Sequence, residues 1–347
     1  MRDKKIKFEK DSESGIFNRF TRLISDKIYD CQVALHKCKK PKKGNNKKDK
    51  NRQLIFYIGW ISIPLLQLAI FYFYVNANSI LMAFQRYDVH TNGFKWAGLA
   101  NFQNLIKSFT ETGGALRISL INSLVIFFCK TVIGVSLALF FSYYIYKKLP
   151  AAELFRVVLF LPHVVSSIVM VIVFKYFTES AIPGLVHIIS GEKISGFLSN
   201  AETQFGTVVF FNVWAGFGTN VLMYVSAMSR IPSEITEAAE LDGITPMREF
   251  ILIVLPMIYP TITAFMIIGM TDIFTSNAYI YEFFGERLSN QKLYTMGYYL
   301  LKFVISSEGT SAYPFASAAG VVMTLIATPV ILGVKKLLEM FDPSTEA

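Results

Sequence analysis

The chain has 347 residues, 53% of them hydrophobic and 17% charged, a balance too apolar for one soluble domain to bury in a single core. Its formal charge of +9 sits at one end, because 17 of the 34 Lys and Arg lie in the first 53 residues beside 7 acids. That asymmetry points to a basic segment ahead of a first membrane crossing, able to touch anionic lipid, and away from nucleic-acid binding.

Residues 1–53 read as a basic N-terminal extension, with Ile16, Phe17, Phe20, Ile24 and Ile28 on roughly one helical face. Cys31 and Cys38 flank His36 but fall short of a four-ligand set, and Cys129 lies in an apolar run, so neither a metal site nor a disulfide framework is expected. The run Lys42–Lys48 has no apolar period and reads as flexible linker, and no signal-peptide pattern precedes it.

From Leu54 to Val75 no charge occurs, and at 1.5 Å per residue this run crosses a hydrocarbon core of about 30 Å. Comparable runs at Ile118–Tyr146, Val157–Phe174, Gly206–Met228, Phe250–Thr271 and Tyr313–Val334 predict six spans. They are far longer than membrane β-strands, so the fold class is all-α integral membrane protein, with a six-helix domain over residues 54–338 and a short tail at 339–347. Placing the basic end in the cytoplasm puts Lys147, Lys148, Lys335 and Lys336 there too, with both termini inside. Pro64, Pro162, Pro256, Pro260 and Pro329 predict kinks or breaks.

The longest inner loop, 229–249, is punctuated as helix, elbow, helix. Pro232 suits a helix's first turn, Glu234 and Glu237 favour its positive end, and Gly243 suits the left-handed residue that stops it. Thr245 and Pro246 then read as cap and first residue of a second helix that runs into span five. Ala238 and Ala239 are small enough to admit another protein's backbone, and Glu237 offers a charge to a basic partner.

The spacing Glu237-Ala238-Ala239, Gly243, Ile253, Leu255-Pro256 resembles the EAA signature of ABC importer permeases, in the binding-protein-dependent carbohydrate branch. Trp96, Gly98, Leu99, Asn101 and Phe102, then Phe160-Leu161-Pro162, Trp214, Gly218 and Asn220, and Tyr313 with Ala316-Ser317-Ala318, extend the likeness over about 54–338. It departs in the loop after span five, where Glu282-Phe283-Phe284-Gly285 stands in place of a Gly-Gly-Pro. The resemblance implies a type I permease with a cytoplasmic coupling helix in the 229–249 loop, and Glu237, Ala238, Ala239, Gly243, Leu255 and Pro256 as the residues that couple it to an ATPase. It also implies a second homologous permease, two ATP-binding cassette subunits holding ATP and Mg, an extracytoplasmic solute-binding protein and a sugar substrate.

For the substrate path, neutral hydrogen-bonding groups and aromatic faces suit a polyol, which makes Asn212, Trp214, Asn220, Tyr224, Asp272 and Asn277 the candidates; a packed Trp and Asn residues acting as interhelical glue are the plainer alternatives. Lys130, well inside span two, must face protein, water or a partner, while Lys175 and Asp272 read as snorkelling near span ends. There is no Gly-Lys-Ser/Thr phosphate loop, and His36, His90, His163 and His187 are scattered, so no cofactor, catalytic residue or enzyme activity is expected of this chain. The rival readings are a stand-alone secondary transporter and a permease of the same branch for a solute such as glycerol phosphate.

Overall fold

A computed structural model describes residues 46–111, 114–286, 288–306 and 309–342. The amphipathic stretch, Cys31, His36 and Cys38 of the basic extension, and the tail beyond 342, lie outside the described residues. The chain divides into two compact units, Met1–Tyr74 and Val75–Ala347. In the first, a helix runs from Asn46 to Gln67 with Pro64 inside it, followed by a π-helical turn, Leu68–Tyr74. Asn46–Lys48, expected in the linker, therefore belong to that helix.

Among the described residues six helices are long and apolar enough to span a membrane: Lys50–Ala83, Ala115–Tyr146, Ser167–Ser190, Gln204–Met228, Pro246–Thr275 and Tyr313–Met340. Five contain the expected crossing, and the third does not. The run read as Val157–Phe174 is split into a helix Ala152–Val164, with Pro162 in its last turn, and a new helix starting at Ser167. Val165 and Ser166 between them are extended, with ψ of 141° and 136°. Pro162 removes a backbone donor, and the β-branched Val164 and Val165 followed by Ser166 favour leaving the helix just beyond it.

The fourth span, Gln204–Met228, is the hub of the second unit, with Val208, Phe211, Val221, Tyr224 and Met228 fully buried. Lipid tails are as apolar as these side chains, so close packing rather than release from water holds the helices together. Gly218 shows how close: a Cβ there would lie 2.0 Å from the Leu159 carbonyl oxygen, so the helix Ala152–Val164 crosses backbone against backbone. Toward one end of the span, Phe211 packs with Ile280, Phe283, Leu293, Tyr294 and Tyr298. Toward the other, Val221, Tyr224 and Met228 pack with Tyr143, Val254 and Ile258.

A two-stranded antiparallel hairpin, β1 Gln85–Asp88 and β2 Gly93–Trp96, is the one departure from an all-helical fold among the described residues. Buried Asn101 ties it down, donating from Nδ2 to the carbonyls of Ala83 (2.8 Å) and Gln85 (2.7 Å), while Trp96 stacks on Phe84.

Candidate coupling elbow and translocation cavity

After the fourth span ends, the chain turns at Pro232 into a nine-residue helix, Ser233–Leu241. Gly243 follows at φ 71°, its N–H donating to the Glu240 carbonyl (3.1 Å) while the Ile244 N–H donates to Ala239 (3.1 Å). This is the 5→2 and 6→1 pairing of a Schellman stop, which needs a left-handed residue where Gly243 stands. Thr245 occupies the cap position of the next helix but its hydroxyl caps nothing; Pro246 opens Pro246–Glu249, which continues through a π turn at Phe250–Val254 into Leu255–Thr275. Leu255 and Pro256 thus begin the regular part of span five.

The elbow helix presents Glu234, Glu237, Ala238 and Leu241 to solvent, positions three and four apart and hence on one face. Ala239 is on the opposite side and only 4% exposed, packed within this chain. Of the two alanines expected to admit a partner, Ala239 is thus covered, because the helical period carries it round to the inner side, and Ala238 is open. Leu241 (89% exposed) and Met247 (61%) are apolar residues left open on the elbow that sequence reasoning did not single out. An apolar residue four positions after Glu237, on the polar side of a short helix, was the available signal.

Beneath the elbow, Lys147 at the end of the second span makes two ion pairs. Its Nζ lies 2.8 Å from Oε1 of Glu249, whose side chain is 2% exposed, and 3.0 Å from Oε1 of Glu240, which is open to solvent. Burial alone would pull the Lys147 pKa down, but the neighbouring Glu249 and Glu240 carboxylates outweigh it and hold the ammonium above its ordinary value. One turn earlier, the Tyr143 hydroxyl donates to the Pro246 carbonyl at 2.9 Å.

Deeper in the second unit, Lys130 and Asp272 line a cavity of about 160 Å³ and pair directly, with Nζ to Oδ2 at 3.1 Å. A π turn, Lys130–Val135, begins at this lysine, and such turns gather at functional positions in membrane and soluble helices alike. Ser123, Thr131, Asn220, Ser276 and Thr295 add neutral polar groups to the lining, and Phe127 and Phe265 add aromatic faces. Asp272 is therefore an ion-pair partner rather than a snorkelling residue, whereas Lys175 is exposed and donates to the Phe283 carbonyl at 3.4 Å.

Of the six residues expected along the substrate path, Asn220 and Asp272 meet in this cavity. Asn212 does not: it is 3% exposed and donates to the carbonyls of Val208 and Ala278, both at 2.9 Å, bonding the fourth span to the loop after span five. Trp214 packs against Phe174 and Phe211, and Tyr224 is fully buried edge-on to Phe265. Asn277 donates to Glu282 at 3.2 Å outside the Lys130 cavity. Among the described residues no cluster of His, Cys, Asp and Glu has the makings of a metal site.

The chain is 22% identical over 273 residues to the multiple sugar-binding transport system permease protein MsmF of Streptococcus mutans, covering 78% of this chain and 91% of that one. It is 27% identical over 283 residues to the arabinooligosaccharides transport system permease protein AraP of Halalkalibacterium halodurans, with 80% and 85% covered. The sn-glycerol-3-phosphate transport system permease protein UgpA of Yersinia pseudotuberculosis is 24% identical over 214 residues, covering 61% and 71%. In fold, a crystal structure of a bacterial ABC transporter that imports the acidic polysaccharide alginate superposes with a TM-score of 0.69 at 19% identity, over 84% of this chain and 98% of that one. Residues 130–346, well over half the chain, match the family of binding-protein-dependent transport system inner membrane components, and the protein is a multi-pass membrane member of that family.

Proposed function

We propose that this chain is one of two permeases in an ATP-driven importer and carries a sugar or oligosaccharide handed over by an extracytoplasmic binding protein. The observation that carries the reading is the elbow, a short helix with an open face of Glu237, Ala238 and Leu241, stopped by left-handed Gly243 and leading directly into a membrane span. That shape suits a docking lever. Two ATPase subunits holding ATP and Mg press on it from the cytoplasm, and the spans rock between inward- and outward-open packings, each stabilised by different contacts. This chain itself binds no nucleotide, and both of its ends lie in the cytoplasm.

The substrate passes the cavity at Lys130, Asp272 and Asn220, half of a path that the second permease completes. The relatives named for multiple sugars and arabinooligosaccharides support a sugar, and the glycerol-phosphate relative supports the rival solute. The cavity favours the sugar. Lys130 and Asp272 are the charged residues of its lining, and at 3.1 Å they offset each other. The pair offers a donor and an acceptor to hydroxyls, whereas a phosphate dianion needs uncompensated cations.

Purification of the tagged chain in mild detergent, with mass spectrometry of what accompanies it, tests the assembly. A second permease and a Walker-containing ATPase are expected. A homogeneous chain that transports unaided when reconstituted overturns the importer reading, and saturable uptake of glycerol 3-phosphate in preference to neutral oligosaccharides overturns the sugar.

A further inference from the structure

The elbow needs a mechanical connection to the rest of the molecule, and only some of its contacts provide one. Its second arm continues covalently into span five, but the second span is reached through side chains alone. Tyr143 and Lys147 stand one helical turn apart at the end of that span. Tyr143 holds the Pro246 carbonyl, and Lys147 holds Glu249, so both grip the first turn of the second arm.

The two bonds of Lys147 differ in kind. Glu249 is almost wholly buried and the ion pair with Lys147 is what compensates its Oε1, so separating the two would strand a charge away from water and this contact is the costly one to break. Glu240 is 65% exposed, on the last turn of the elbow helix, where a negative charge opposes the helix dipole unless a cation sits beside it. Its bond to Lys147 is exposed to water, which makes it the one that gives. Because Glu240 and Glu249 stand on opposite sides of Gly243, a single ammonium spans the elbow.

We propose that Lys147 is the positioning residue that carries displacement of the elbow helix into the second span. It is fixed to the second arm through Glu249 and registers the angle of the elbow helix through Glu240. The inference rests on the reading of the elbow as the ATPase-docking element. Through it the second span, which carries Lys130 one half-span deeper, moves with the elbow, although no peptide bond joins the two directly.

The test uses the assembled importer, with both permeases, its ATPase and its binding protein, in lipid nanodiscs. The readout is the ratio of ATP hydrolysis with and without the binding protein. Lys147→Met is expected to lower that ratio at least threefold while the ATPase still co-purifies, and Lys147→Arg to restore most of it. Lys147→Met with Glu249→Gln removes the buried unpaired charge, and is expected to fold as wild type yet keep the low ratio. An unchanged ratio in either folded variant overturns the proposal, and so does a double variant that fails to assemble, since Lys147 is then structural. Leu241→Asp separates the underlying reading: an ATPase that stays bound to that variant sinks the docking role, whereas unchanged stimulation in Lys147→Met sinks the connection alone.

Discussion

At the scale of single residues, the polar groups inside the spans divide into those that hold the helices and those left facing space. Lys130 and Asp272 face space, with side chains 33% and 45% exposed. Removing one partner strands the other charge, at a cost of roughly 1–3 kcal/mol once the buried-pair figure is discounted for that exposure. Lys130→Met and Asp272→Asn are each expected to lower the melting temperature of the purified complex, and the pair of changes together to recover it without recovering sugar uptake. Normal uptake by the double variant removes the pair from the path. Asn212→Ala is expected to behave differently, losing about 1–3 kcal/mol as the Ala278 carbonyl goes unpaired, with substrate preference unchanged. Sequence reasoning placed Asn212 and Asn220 together because an amide in a span looks the same whether it binds a solute or a carbonyl. What separates them is a contact 66 positions away, which no local pattern carries.

At the scale of elements, the elbow was legible and the third span was not, for one physical reason. Pro232, Gly243 and Pro246 act through their own backbone angles, so their positions fix the turn whatever surrounds it. At Pro162 a kink or break was expected, but the apolar run around it did not show that the chain leaves the helix at Val165–Ser166 and that the long third span starts only at Ser167. The inner side of Ala239 falls between these cases, since the helical period was available but not which side the protein covers. Gly243 also allows a clean test. A Cβ there meets nothing within 4 Å, so a substitution acts through conformation alone, at about 1–2 kcal/mol for an ordinary L-residue held left-handed. Gly243→Val is expected to insert normally and abolish transport, while Gly243→Asn, which tolerates that conformation, retains most of it. Equal loss in both makes the effect something other than the turn.

At the scale of the whole molecule, the orientation proposed above places the ends of the second, fourth and sixth spans on the side of the elbow, with the start of the fifth. That side then collects Lys147 and Lys148, Arg230 and Arg248 around the elbow, and Lys335 and Lys336. The opposite side carries the hairpin and the loop from Gly191 to Thr203, where acids and bases are mixed. Positive charge is favoured on the cytoplasmic side, so this distribution supports the proposed orientation, with Leu241 of the elbow facing the cytoplasm. Single cysteines in an otherwise cysteine-free background test this with a membrane-impermeant maleimide. Glu192→Cys, on an exposed stretch between the third and fourth spans, is expected to label on intact cells, and Leu241→Cys only after permeabilisation. The reverse pattern turns the chain over in the membrane, placing the elbow where no ATP is available, and the importer mechanism falls with it even though every contact within the chain stays the same.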